Sequence, residues 1–227
     1  MDDGNGAVGI VFPVHDGFVR LVDAMGDDSA VVRAARVSYG NESKGRDADQ
    51  KLIHYLMKHN HGTPFEHIVF TFHIRCPIFV ARQWFRHRIG SFNEISARYT
   101  ELDTGFFVPT LLRQNKTSNH QASIEGDFTE EEIQSMMSEY KYALEIVEDT
   151  YHSLLKKGMA REQARAILPL GTYTEFYWTV NLRSLFNFIR LRTAEDAQEE
   201  MRDYANAVKL IAEEQAPCCF EALESEG

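Results

Sequence analysis

The chain reads as one mixed α/β (α+β) domain: a small central, largely antiparallel sheet flanked by helices, one of them long and amphipathic. Three observations lead there. Between Ile68 and Cys76 apolar and polar residues alternate, the period of a half-buried strand. From Ile133 to Leu154 apolar residues recur at steps of four and three, the stripe of a long helix. Strands and helices do not alternate regularly, and no Gly-rich turn follows a strand, so a doubly wound nucleotide fold is disfavoured.

The elements follow in order. Residues 1–9 are rich in Asp, Gly and Asn, with no basic or apolar signal region, and read as a flexible end. Ser29 to Val37 reads as a short helix with Ser29 in the N-cap position. Asp47 to Asn60 reads as a second helix, broken by Gly62-Thr63-Pro64. In the strand that follows, Ile68, Phe70, Phe72, Ile74 and Cys76 share one face, and Val69, Thr71, His73 and Arg75 the other. Pro77 is suited to open the next helix, which runs over Ile78 to Phe85. Residues 111–127 are polar and weakly patterned and read as a flexible loop. Thr129 and Glu132 form a capping box for the long helix, expected to pack along its whole length. Lys156-Lys157-Gly158 ends it, with cations at the dipole's negative end and Gly at C′. Arg161 to Leu168 reads as a short helix closed by Pro169, and Thr172 to Val180 as a second strand. Arg183 to Leu191 and Thr193 to Glu214 read as helices, the latter opened by a Thr193/Asp196 capping box. Residues 1–227 show no repeat, linker or low-complexity tract.

Composition narrows the function. Hydrophobic residues make up 44% and charged residues 26% of 227, ordinary for a folded domain. A formal charge of −10 argues against a nucleic-acid polymer as partner, since that needs a basic face. Cys76, Cys218 and Cys219 do not make a disulfide framework and point to a reducing, cytoplasmic setting. No apolar run approaches the roughly 20 residues that span a bilayer.

Against that acidic background, Arg86-His87-Arg88 opens a run through Asn93, Glu94, Ser96 and Arg98. Fixed cations gathered in so short a stretch suit a small anion, because guanidinium forks match phosphate oxygens in bidentate geometry. If the helix ends near Phe85, Arg86 and Arg88 share a side of an extended segment and converge, and His87 points to the opposite wall. A histidine between two permanent cations resists protonation. Ser96 lacks a Gly-x-Ser-x-Gly elbow and is better read as a phosphate donor than as a nucleophile. A second cluster, Asn181, Arg183, Asn187, Arg190 and Arg192, lies on one later helix and its flanks. His54, His59, His61 and His67 lie near Glu66 without the His-Glu-x-x-His spacing, so no metal is assigned. A metal-dependent phosphohydrolase using His59, His61 and His67 and a nucleotide-binding regulator without turnover are the competing readings.

Arg86-His87-Arg88, seven further residues and Ser96 together resemble the signature of the flavin-dependent thymidylate synthases. So do Gly62-Thr63-Pro64-Phe65-Glu66-His67, Asn93-Glu94-Ile95-Ser96-Ala97-Arg98-Tyr99, Ala164-Arg165, Asn181-Leu182-Arg183-Ser184 and Leu191-Arg192 with Ala197-Gln198. The resemblance spans about Phe18 to Phe220. It implies a homotetramer with active sites shared between subunits, binding FAD, dUMP and a folate. The reaction implied is transfer of the one-carbon unit of methylenetetrahydrofolate to dUMP, with NADPH as reductant through the flavin. By position, it assigns dUMP to Gln83, Trp84, Phe85, Arg86, Glu94, Ile95, Ser96, Ala97, Arg98, Arg165 and Arg192, with Arg192 also catalytic. FAD is assigned to Thr63, Arg86, His87, Arg88, Glu94, Asn181, Leu182, Arg183 and Asn187, and more weakly to Ser38, His61 and Glu66. Glu195 and Asp196 stand where the family often has a histidine, and nothing is carried onto them.

Overall fold

A computed structural model describes residues 11–37, 45–96, 105–116 and 119–225. In chain order the elements are β1 (Val11–Val14), β2 (Gly17–Met25), α1 (Asp28–Ala35), α2 (Arg46–Lys58), a 3₁₀ turn (Thr63–His67), β3 (Val69–Pro77), α3 (Ile78–Trp84) and β4 (Ser91–Glu94). There follow β5 (Arg113–Lys116), β6 (Asn119–Glu125), α4 (Glu130–Lys156), α5 (Arg161–Ala164), a 3₁₀ turn (Arg165–Ile167), β7 (Tyr173–Asn181), α6 (Leu182–Arg192), α7 (Glu199–Gln215) and α8 (Pro217–Ser225). The main sheet has the order β1-β2-β3-β7-β4, and each neighbouring pair is antiparallel. None of the described helices is long and apolar enough to cross a membrane.

The alternation in β3 sets the layers. Ile68, Phe70, Phe72, Ile74 and Cys76 are fully buried, and Phe176, Trp178 and Val180 of β7 extend the same face. Helices α3, α6 and α7 cover it with Trp84, Phe188 and Tyr204. Trp84 meets Trp178 edge-on, with ring centroids 5.4 Å apart. Burying each such side chain contributes roughly 1.5–3 kcal/mol. The other sheet face is half-buried and polar. There Arg20 donates to His73 Nδ1 at 2.9 Å, which leaves the Nε2–H of His73 for Glu175, also 2.9 Å away.

Four expectations need correction. Asp27, not Ser29, caps α1: its carboxylate accepts from the Ser29 amide at 3.0 Å. Within 111–127, Arg113–Lys116 and Asn119–Glu125 are strands rather than loop: β5 and β6 pair antiparallel, Arg113 with Glu125 and Asn115 with Ser123. Thr193 closes α6 as C-cap, its hydroxyl donating to the Ile189 carbonyl, so α7 begins only at Glu199. The long helix α4 has its capping box and its Gly158 stop at φ +89°, yet Tyr151 is its one buried residue. Ile133, Met136 and Tyr140, in its N-terminal half, are exposed. The expected flexible end, residues 1–9, lies outside the described residues.

A candidate nucleotide site

Two chain turns build the site. Helix α3 ends at Trp84 with Phe85 as C-cap, and the arginine run leaves it to reach β4. Strand β7 ends at Asn181, whose side chain caps α6 by accepting from the Ser184 amide at 2.9 Å. The end of β7, the length of α6 and the turn after α3 enclose a cavity of about 760 Å³. Arg86, His87, Arg88, Asn181, Arg183, Asn187 and Arg192 all line it. His87 lines the same cavity as Arg86 and Arg88. Glu66 also lines the cavity, Ile89 and Leu191 add apolar surface, and fully buried Trp178 lies behind the wall.

Arg192 is the pivot. Its Nε donates to His87 Nε2 at 2.9 Å, and its Nη2 donates to the Gln83 carbonyl at 3.2 Å. Since Arg192 can only donate, His87 must accept and is held neutral. Burial, then the Arg192 charge, push the imidazole down to about 4. Neutrality was expected from Arg86 and Arg88; the structure assigns it to burial and Arg192. Burial and the neighbouring Arg86 lower Arg192 itself, although a guanidinium stays charged at physiological pH. Arg183 donates to Glu66 Oε1 at 2.6 Å. Its side chain also borders a second cavity of about 510 Å³, beside His61 and Thr63.

Other predicted residues lie elsewhere. Gln83 is half-buried on α3, and its side chain donates to Gln198 at 2.6 Å. Trp84 and Leu182 are fully buried in the core and do not line the cavity. Phe85 packs edge-on against Phe92 and Phe176. Glu94, on β4, accepts from the Thr174 hydroxyl at 2.7 Å and does not line the arginine cavity. Ile95, Ser96 and Arg165 do not line it either, and Arg165 is exposed at the start of its 3₁₀ turn. Ser38, Ala97 and Arg98 lie outside the described residues. Among the described residues no three His, Cys, Asp or Glu side chains are grouped to hold a metal ion. His59 and His61 instead pack around Tyr55, with ring centroids 4.3 and 6.0 Å from it.

Four guanidinium groups and a neutral imidazole around one cavity, in an acidic α+β domain, define a nucleotide-binding protein. The family is set by comparison: the chain belongs to the thymidylate synthase complementing protein family, whose sequence profile it matches over residues 20–218. A flavin-dependent thymidylate synthase of Thermosipho africanus is 53% identical over 207 residues, covering 91% of this chain and 90% of the relative. One from Thermus thermophilus is 50% identical over 216 residues, covering 95% and 78%. A UMP/dUMP methylase, PolB, of Streptomyces cacaoi bound with 5-Br dUMP superposes with a TM-score of 0.85 at 38% identity, covering 94% of this chain and 97% of the other.

Proposed function

We propose that this protein is a flavin-dependent thymidylate synthase, converting dUMP to dTMP with methylenetetrahydrofolate as one-carbon donor and NADPH as reductant. One observation carries the reading: Arg86, Arg88, Arg183 and Arg192 surround a single cavity with His87 held neutral among them. The cavity lies within the size range of small-molecule sites. Its arginines suit a pyrophosphate, and its apolar Ile89 and Leu191 suit a flat ring system, so the residues fit FAD. FAD, when bound, supplies the redox chemistry. Arg86, His87, Arg88, Asn181, Arg183 and Asn187 hold and orient it, and Thr63 and His61 line the adjoining cavity.

Arg192 acts on the pyrimidine. Its contacts to His87 and to the Gln83 carbonyl fix the guanidinium plane. A fixed, half-desolvated cation stabilises negative charge developing on the uracil ring and favours loss of its imide proton. Neutral His87 accepts from Arg192 and adds no competing positive charge. Positioning and electrostatics suffice here, without a protein nucleophile.

The working unit is a homotetramer with sites shared between chains. Glu94 and Arg165 stand outside the arginine cavity of their own chain, which supports their use in a neighbour's site. The test is direct. Purified protein loaded with FAD should bind dUMP with a change in the flavin spectrum and form dTMP from dUMP, methylenetetrahydrofolate and NADPH. No dTMP at saturating FAD and substrates would sink the assignment.

A further inference from the structure

Helix α7 begins oddly. Gln198 is its N-cap, yet the side chain makes no capping bond to its own helix. It is spent elsewhere: Nε2 donates to Glu200 Oε2 at 2.9 Å, and Oε1 accepts from Gln83 Nε2 at 2.6 Å. Glu200 is buried, at 5% exposure, and its other carboxylate oxygen accepts from Arg113 of the hairpin. Arg113 also donates to Glu199 at 2.9 Å. None of these four residues (Arg113, Gln198, Glu199, Glu200) lines the arginine cavity.

The polarity of this chain of bonds follows from donor chemistry. An ionised carboxylate only accepts, so Glu200, held by Arg113, requires the NH₂ of Gln198. Gln198 must then turn its oxygen toward Gln83, and Gln83 must answer with its own NH₂. One N–H of the Gln83 amide is thereby committed to Gln198, and Oε1 is turned away as the acceptor offered to a ligand. The main-chain carbonyl of Gln83 meanwhile accepts from Arg192 at 3.2 Å, so the same residue touches the catalytic guanidinium.

We infer that Glu200 and Gln198 are positioning residues: they fix the amide of Gln83 so that Oε1 accepts an N–H or O–H of the pyrimidine nucleotide. The inference rests on Gln83 belonging to the dUMP site, as the family resemblance assigns it. Arg113 places the carboxylate that sets the direction, which couples the β5–β6 hairpin to nucleotide binding.

Rescue by moving the carboxylate one step along tests this. The FAD-loaded enzyme is titrated with dUMP through the flavin spectrum, with FAD content and thermal midpoint measured alongside. Q83A should weaken dUMP about tenfold, the worth of one ligand hydrogen bond. E200Q should weaken it by a similar factor, because a carboxamide there lets Gln198 and Gln83 flip. Q198L, which breaks both bonds and keeps the Arg113–Glu200 ion pair, should match E200Q if the buried change proves unstable. In Q198E/E200Q the new Gln donates to the new Glu, which again accepts only from Gln83, so affinity should return to within about threefold of wild type. KM for dUMP should move in E200Q and Q198L while kcat stays within about twofold. If E200Q and Q198L leave dUMP affinity unchanged while Q83A weakens it, the relay fails and the site stands. A double variant as weak as E200Q would also overturn the relay, leaving only the Arg113–Glu200 ion pair. An unchanged Q83A would remove Gln83 from the nucleotide and overturn both.

Discussion

At the scale of single residues, His87 makes the sharpest statement. Its folded value near 4 lies below the ordinary 6.5, because burial and Arg192 disfavour the imidazolium. Between those values the unfolded chain binds a proton that the folded chain does not. His87 therefore contributes stability that is complete above pH about 6.5 and lost as pH falls toward about 4. A His87→Asn variant should show a shallower fall in urea midpoint across that window than wild type; parallel curves would contradict the cause given. Arg192→Ala should reduce turnover by about a hundredfold or more while FAD content stays near wild type, the pattern of a lost transition-state contact. Arg88→Ala should do the reverse, and equal flavin loss in both would contradict these roles. Gly90 is fixed by space: a Cβ there would sit 2.9 Å from both the Thr179 carbonyl and Trp178 Nε1. Gly90→Ala should cost about 1–3 kcal/mol, read as a lower thermal midpoint, and weaken FAD because the arginine turn must shift.

At the scale of elements, legibility followed the strength of the local signal. Strand β3 and the capping box of α4 were plain in the sequence, because alternation and Thr129/Glu132 each carry their own mechanism. The β5–β6 hairpin was not. Its strands present no apolar face, and what ties them down is Arg113 reaching Glu199 and Glu200, 86 and 87 residues on. No window of local sequence contains that ion pair. Thr193 misled for a related reason: Thr followed by Asp three residues later suits an N-cap, but here the Ile189 carbonyl takes the Thr193 hydroxyl and ends α6. Of the site, Arg86, His87, Arg88, Arg183, Asn187 and Arg192 were nameable by residue type and resemblance. Which partner neutralises which group was readable only once α3 and α6 were seen side by side. Thr129→Ala removes one half of the capping box and should cost about 1 kcal/mol. Since the first turns of α4 are exposed, the loss should appear as faster amide exchange there with dUMP affinity unchanged.

At the scale of the whole molecule, the apolar stripe of α4 outruns what one chain covers. Tyr151 is buried and Val147 and Leu154 half-buried, but Ile133, Met136 and Tyr140 are 41%, 37% and 38% exposed among the described residues. A long helix keeps an uncovered stripe when another surface completes it. A neighbouring chain of the proposed tetramer would supply that surface, and if it also brought Glu94 and Arg165 toward its partner's cavity, assembly and nucleotide binding should fail together. Ile133→Glu with Met136→Glu places two charges on the stripe, far from Arg192 in sequence. Light scattering should then fall from four times the 26.0 kDa chain mass toward one or two chains, and dUMP affinity should fall with it. A tetramer that survives both charges would exclude the α4 stripe and move the interface to the polar sheet face, where Tyr177, stacked on His73 at 4.8 Å, stands 43% exposed.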